Sequence, residues 1–291
     1  MLSHEIRNKI KNIKIATKRI MRTTLSGDFL SAFKGSGLEF HHIREYQVGD
    51  DIRSIDWKSS AKMDDIMVKE FIEDRERTII VCLDLSASNR YGSGNNLKQT
   101  TLDELAATIA CIAHDNKDKI GLVCFSDIIE TWMQPAKGAT HLSQILQTIF
   151  TIKPKHTTTA PELPLEFLMQ QKKRGAVVFM VSDWITDDQT KLERIVGIAS
   201  RYYDIIALKA ADPCEVKFPN IGLIDVQDPE TGAYITIDAR HTNHALQEFF
   251  AAREVATKRL FDKYRISALS IAPDAPFIQP LARFLQYRTR R

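Results

Sequence analysis

Thr78-Ile79-Ile80-Val81-Cys82-Leu83-Asp84-Leu85-Ser86-Ala87-Ser88 is the stretch that decides how this chain folds. Its first six residues form a continuous apolar run, the mark of a strand buried on both faces of a parallel sheet. Three similar runs follow, at Ile120–Phe125, Ala176–Val181 and Ile205–Leu208, and a weaker fifth at Ser267–Ile271. Helical periodicity fills the intervals at Leu102–Asp115, His141–Ile152, Leu163–Lys172, Thr190–Tyr203 and Asn243–Tyr264. Strands alternating with helices at this spacing predict an α/β, doubly wound, mostly parallel sheet.

The chain outside this alternation reads differently. Ile6, Ile10, Ile13, Thr17 and Ile20 recur at three- and four-residue steps among Lys and Arg, which predicts a basic amphipathic helix over residues 1–24. Residues 25–76 read as a β-rich addition: Leu38–Gln47 is extended, Val48-Gly49-Asp50-Asp51 turns, and Ile66–Ile72 alternates like a half-buried strand. Asp50, Asp51, Arg53, Asp56 and Trp57 crowd one short stretch, either as a charged network pinning this addition to the sheet or as a docking surface. The main domain then runs over 77–291, with an insertion at 213–240 expected to pack with the addition. Within it Asp228-Pro229-Glu230-Thr231-Gly232 is a turn between two short strands.

The formal net charge of +3 over 291 residues hides opposite parts. Residues 1–24 carry +6, residues 283–291 carry +4, and the body between them carries −7. An acidic body repels a phosphate backbone, which excludes a uniformly basic nucleic-acid binder. No stretch approaches the roughly 18 apolar residues of a membrane-spanning helix. Cys82, Cys111 and Cys124 lie inside apolar runs and match no zinc spacing, so buried, reduced thiols and a cytoplasmic location are expected.

In open α/β sheets, ligands bind at the carboxyl ends of the strands. The first run ends in Asp84, Ser86 and Ser88, and the Ala176–Val181 run ends in Ser182-Asp183. A lone Asp or Ser after a strand is commonly a helix cap or turn former. Two strand ends offering two carboxylates and alternating hydroxyls, with no Cys or His, instead fit a hard cation such as Mg²⁺. Tyr91-Gly92-Ser93-Gly94 has no Lys-Ser/Thr after it, so no phosphate loop is read there, and Lys98 is assigned no role.

The Asp84-Leu85-Ser86-Ala87-Ser88 segment resembles the metal-ion-dependent adhesion site of von Willebrand factor A-like domains. Gly35–Phe40, Arg44–Trp57, Val68–Phe71, Val181–Trp184 and Asp228–Gly232 are similar to the bacterial subgroup known as domain of unknown function 58. The resemblance spans roughly residues 25–272, so a von Willebrand factor A-like sheet with an N-terminal β-rich addition is expected. It implies that Asp84, Ser86 and Ser88 form the first metal-binding loop and Asp183 the late acidic position. An intermediate Thr is implied within His156-Thr157-Thr158-Thr159, with Thr159 favoured and Thr158 next to it. The chain departs from the family's commoner Gly-Thr-Asp pattern at this point, showing Thr159-Ala160-Pro161.

The resemblance further implies an adaptor that works beside a MoxR-type AAA+ ATPase in assembly or chaperoning. The expectation is a non-catalytic, Mg²⁺-dependent interaction module holding its cation on Asp84, Ser86, Ser88, Thr159 and Asp183, with a partner's carboxylate completing the shell. One rival is a metal-assisted phosphoryl-transfer hydrolase with Asp84 as nucleophile, disfavoured because Ser86 stands where a second acid is wanted. The other is a membrane-surface scaffold that lies weakly on anionic lipid through the basic helix.

Overall fold

The computed structural model describes residues 4–23, 38–63, 65–73, 77–90, 97–171, 174–186, 188–212, 222–227, 234–273 and 275–289. The Gly35–Gly37, Tyr91–Gly94 and Asp228–Gly232 segments singled out above lie outside these residues.

Strand β3 (Thr78–Asp84) is central to a six-stranded sheet that also contains β4 (Lys119–Phe125), β5 (Ile129–Ala136), β6 (Val177–Val181), β7 (Asp204–Ala210) and β10 (Ser267–Ile271). The order is β10-β7-β6-β3-β4-β5, parallel throughout except for β5, which runs antiparallel to β4. All five expected strands are present. The sixth, β5, is an edge strand whose residues are only partly covered and which contains Pro135, so it lacks a continuous apolar run.

Both faces of β3 are buried. Ile79, Val81 and Leu83 face one apolar layer, and Ile80 and Cys82 face the other. The first layer holds α3 (Lys98–Asp115), α4 (Ala139–Thr151) and α8 (Ile278–Thr289), through Leu102, Leu105, Ile145 and Leu281. The second holds α5 (Leu163–Gln170), α6 (Gln189–Ala199) and α7 (Ala239–Tyr264), through Leu165, Leu192 and Leu260. The result is an α/β/α sandwich with helices on both faces of a mostly parallel sheet. Cys82, Cys111 and Cys124 are buried free thiols, and burial pushes Cys111 up to about 12.

The basic helix α1 (His4–Thr23) packs on α3 and α8. Ile13 and Thr17 are buried and Ile10 joins the first apolar layer, so part of the isoleucine stripe is turned into the body. Among the described residues no helix is long and apolar enough to cross a membrane.

Strands β1 (Leu38–Glu45) and β2 (Met67–Glu73) form a separate antiparallel pair, with the short helix α2 (Trp57–Met63) between them in sequence. Among the described residues, bonds of the charged cluster form inside this unit. Arg44 grips Asp50 through two 2.7 Å bonds, which hold that carboxyl at about 2. Asp56 accepts from Ser59 and pairs with Lys69 at 3.5 Å. Within the insertion, β8 (Leu223–Gln227) pairs antiparallel with β9 (Tyr234–Asp238) as a third sheet.

Candidate metal centre

Read along the sheet from β5, the strands follow the sequence order 3-2-1-4-5-6. The winding therefore reverses between β3 and β6, where neighbouring loops diverge and leave a crevice at the carboxyl ends. Leu83 is level with Val181 across that junction. The next residues on each strand, Asp84 and Ser182, consequently meet, and Asp183 follows one step beyond.

Asp84 has no solvent exposure, and three donors converge on it. Its Oδ1 accepts from the Ser86 amide at 2.9 Å. Its Oδ2 accepts from the Ser182 hydroxyl at 2.7 Å and the Thr159 hydroxyl at 3.2 Å. Burial and the nearby charge of Asp183 push the Asp84 carboxyl up to about 6 against the pull of these bonds. A short 3₁₀ turn over Ala87–Arg90 folds the Ser88 hydroxyl back to 3.0 Å from that of Ser86, which also accepts from Asn89 Nδ2 at 3.1 Å.

Thr159 arrives on a loop tied down on both sides. The Ala87 amide donates to the Thr157 carbonyl at 2.8 Å, and the Ala160 amide donates to the Ser126 carbonyl at 3.2 Å. Glu130 accepts the Lys155 and His156 amides, and His156 Nδ1 lies 2.7 Å from Asp127. The Thr158 hydroxyl bonds Asp127, which stays below the ordinary carboxylate range although burial opposes this. Successive threonines thus serve different carboxylates, and Thr159, not Thr158, faces Asp84.

Asp183 accepts the Ile185 amide at Oδ1, 3.1 Å, and the Lys98 ammonium at Oδ2, 3.3 Å. Trp184 then turns the chain sharply with φ +61°, a left-handed conformation that costs a bulky residue on the order of 1 kcal/mol or more. Its buried ring holds the turn by packing edge-on against Phe261, centroids 4.8 Å apart.

Asp84, Ser86, Ser88 and Thr159 are thereby joined by hydrogen bonds at the carboxyl end of β3, and Asp183, whose charge acts on Asp84, lies one residue beyond Ser182 and lines a cavity with Lys209 and Asp212. Ser182 and Lys98 join them unforeseen. Ser182 was legible as the residue level with Asp84 once the strands were registered. Lys98 left a fainter signal, a cation in the first turn of a helix, where the macrodipole disfavours it.

Among the described residues no group of three or more His, Cys, Asp or Glu is placed to share a metal. Any cation here would rely on hydroxyls beside two carboxylates, an all-oxygen set suited to a hard ion. Asn89 Oδ1 and Gln99 Oε1 are buried nearby without hydrogen-bond partners, acceptors suited to metal-bound waters. The residues present therefore fit Mg²⁺.

This chain belongs to the family described as protein of unknown function DUF58, whose model matches residues 42–259. It is 25% identical over 289 residues to an uncharacterized protein of Mycobacterium tuberculosis (strain ATCC 25618 / H37Rv), covering 97% of this chain and 89% of that protein. An uncharacterized Mycobacterium avium protein is 26% identical over 161 residues, 54% of this chain and 94% of that protein. Among solved structures, the conserved hypothetical protein BatB from Bacteroides thetaiotaomicron is 13% identical, covering 74% of this chain and 100% of that chain, with a TM-score of 0.48. An aerotolerance-related membrane protein from Bacteroides fragilis NCTC 9343 is also 13% identical, covering 74% and 98%, with a TM-score of 0.49. The SpRpn10 VWA domain is 12% identical, covering 71% and 93%, with a TM-score of 0.43. The fold is an α/β sandwich on a six-stranded, mostly parallel, doubly wound sheet.

Proposed function

We propose that the strand-end crevice is a Mg²⁺-dependent capture site for a carboxylate of a partner protein, which makes the chain a non-catalytic interaction module. The observation that carries this is the convergence of two buried carboxylates and three hydroxyls at the winding switch of the sheet. Asp84, Ser86, Ser88, Thr159 and Asp183 would hold the ion directly or through water. When bound, the ion would supply a concentrated positive charge able to attract a carboxylate oxygen.

The protein's own groups do the positioning. Ser182, Thr159 and the Ser86 amide lock the Asp84 carboxylate in one orientation, so little rearrangement is required on loading. Ser88 and Thr159 are only partly buried and form the mouth through which a carboxylate would enter. The family resemblance supports a MoxR-type AAA+ ATPase as the working partner, and the buried thiols support a cytoplasmic setting. With Ile10 and Ile13 packed into the body, contact of α1 with an anionic membrane would rest mainly on its Lys and Arg face.

Lys98 gives the phosphoryl-transfer alternative one specific support, because cation-assisted hydrolases place an ammonium beside the transferred phosphoryl group. Two features oppose it. Asp84 is fully buried with both oxygens already accepting hydrogen bonds, and Ser86 provides no acid/base group.

The test is affinity capture from native lysate with wild type and Asp84→Ala as bait, in Mg²⁺ and in EDTA, probing eluates for an AAA+ ATPase. Capture lost in EDTA and in the variant is expected. Equal capture in EDTA would exclude metal dependence, and phosphatase turnover abolished by Asp84→Asn would move the assignment to the hydrolase.

A further inference from the structure

Lys209 carries a buried ammonium at the carboxyl end of β7. Ile205 and Ala207 face the apolar layer that holds α7, and the strand period of two turns Lys209 to that same side. There it borders a cavity of about 380 Å³ that lies between the ends of β6 and β7 and the side of α7. That size suits a small organic ligand. Of the five candidate cation holders, Asp183 alone borders this cavity. Its apolar wall is built from Trp184, Ile185 and Phe250.

The ammonium is held from α7 by an unequal partner. Lys209 Nζ donates to Glu254 Oε2 at 3.0 Å, yet the Glu254 side chain is 68% exposed against 9% for Lys209. Water solvates the Glu254 carboxylate when it swings away, whereas the buried ammonium needs an anionic oxygen beside it. Exchange of Glu254 for a carboxylate from outside replaces one negative charge by another. Local charge is unchanged whatever Asp183, Asp212, Arg253 and their own partners carry. Asp183 and Asp212 also border the cavity and repel an anionic head, which leaves it the side of Lys209 and of Arg253. A newcomer outcompetes Glu254 through its body, because an apolar chain against Trp184, Ile185 and Phe250 leaves water and the exposed Glu254 does not.

We propose that this cavity binds an amphipathic organic acid, a monocarboxylate with an apolar chain, and that Glu254 stands in for the ligand's carboxylate on Lys209 until it arrives. The head takes the Lys209 ammonium and the chain packs on Trp184, Ile185 and Phe250. This site is separate from the cation-dependent capture proposed above and needs no metal.

The experiment is fluorine nuclear magnetic resonance of the full chain labelled with fluorotryptophan, titrated in EDTA with octanoate, acetate or octanol. Trp184 borders the cavity and Trp57 and Trp132 do not, and Trp57→Phe and Trp132→Phe assign the resonances. Octanoate should shift the Trp184 resonance saturably. Acetate, which lacks the chain, and octanol, which lacks the charge, should each bind about tenfold or more weakly. Lys209→Met should bind octanoate about tenfold or more weakly, and Glu254→Gln about threefold or more tightly. No shift at Trp184, or affinity for acetate or octanol equal to that for octanoate, overturns the site. Octanoate affinity in Glu254→Gln equal to or below that of wild type overturns the stand-in role of Glu254. Glu254 is exposed, so that comparison holds even if Lys209→Met does not fold. The EDTA keeps every outcome independent of the Asp84 cluster.

Discussion

Lys98→Met removes an ammonium while keeping an unbranched side chain of similar reach, which isolates the charge. Left behind is the Asp183 carboxylate, with 4% side-chain exposure, next to Asp84 with none. Breaking a buried ion pair from one side costs about 3–5 kcal/mol, because the surviving charge is buried uncompensated. The 3.3 Å separation is long for such a pair and Asp183 retains the Ile185 amide, so the low end applies, about 3 kcal/mol. In a body of this size that corresponds to a fall in Tm of about 6–12 °C. Asp183→Asn removes the opposite charge of the same pair and should also destabilise. The double variant Lys98→Met/Asp183→Asn removes both charges and should be more stable than the sum of the single losses by about 2 kcal/mol. Urea unfolding in EDTA followed by circular dichroism measures all four corners of the cycle. Additivity within about 0.5 kcal/mol would refute the pairing, since independent sites behave that way.

Asp103, in the cleft beside Arg90 and Gln99, is pushed up from 3.8 to about 7 by burial. Its folded-state value is raised, so the ionisation penalty is absent below about pH 4 and complete above about pH 7. Asp103→Asn should match wild type near pH 4 and gain up to about 4 kcal/mol by pH 8, which melting curves at the two pH values test. Thr159→Ala, which loses the hydroxyl facing Asp84, should weaken Mg²⁺ binding about tenfold or more, whereas Thr158→Ala should stay within about twofold, as read by titration calorimetry. A Cβ at Gly197 would lie 2.8 Å from the Tyr264 hydroxyl oxygen and 2.9 Å from its ring, so Gly197→Ala should displace that ring and forfeit the gain of up to about 1 kcal/mol that alanine otherwise brings inside a helix, as read by urea unfolding.

The sheet was legible because four of its six strands are buried on both faces, which continuous apolar runs announce, and edge strand β10 left only a weaker run because alternate residues are exposed. Strand β5 was not, because its outer edge meets solvent and Pro135 interrupts the pattern. Helix α8 contributes Leu281 and Leu285 to the core, but among basic residues near the chain end its apolar stripe reads as part of a charged tail. Asp84 and Asp183 could be found because each lies within two residues of the end of an apolar run. Thr158 and Thr159 could not be separated by sequence, because the choice depends on which way an extended loop turns after Ala87 fixes Thr157. Lys98 could be valued only once the crevice showed a carboxylate waiting for a lysine that would otherwise be misplaced. The charged Arg44–Lys69 network was legible in composition, and its Arg44–Asp50 and Asp56–Lys69 pairs lie within the β1–β2 unit.

The proposed function stands on divalent-cation binding by the Asp84 cluster, and Mn²⁺ electron paramagnetic resonance reads that step directly. In acetate buffer, wild type should bind one Mn²⁺ per chain and compete it away with Mg²⁺, while folded Asp84→Ala should leave the free Mn²⁺ signal undiminished. Equal depletion of that signal by Asp84→Ala, or no depletion by wild type, would contradict a cation site at the end of β3.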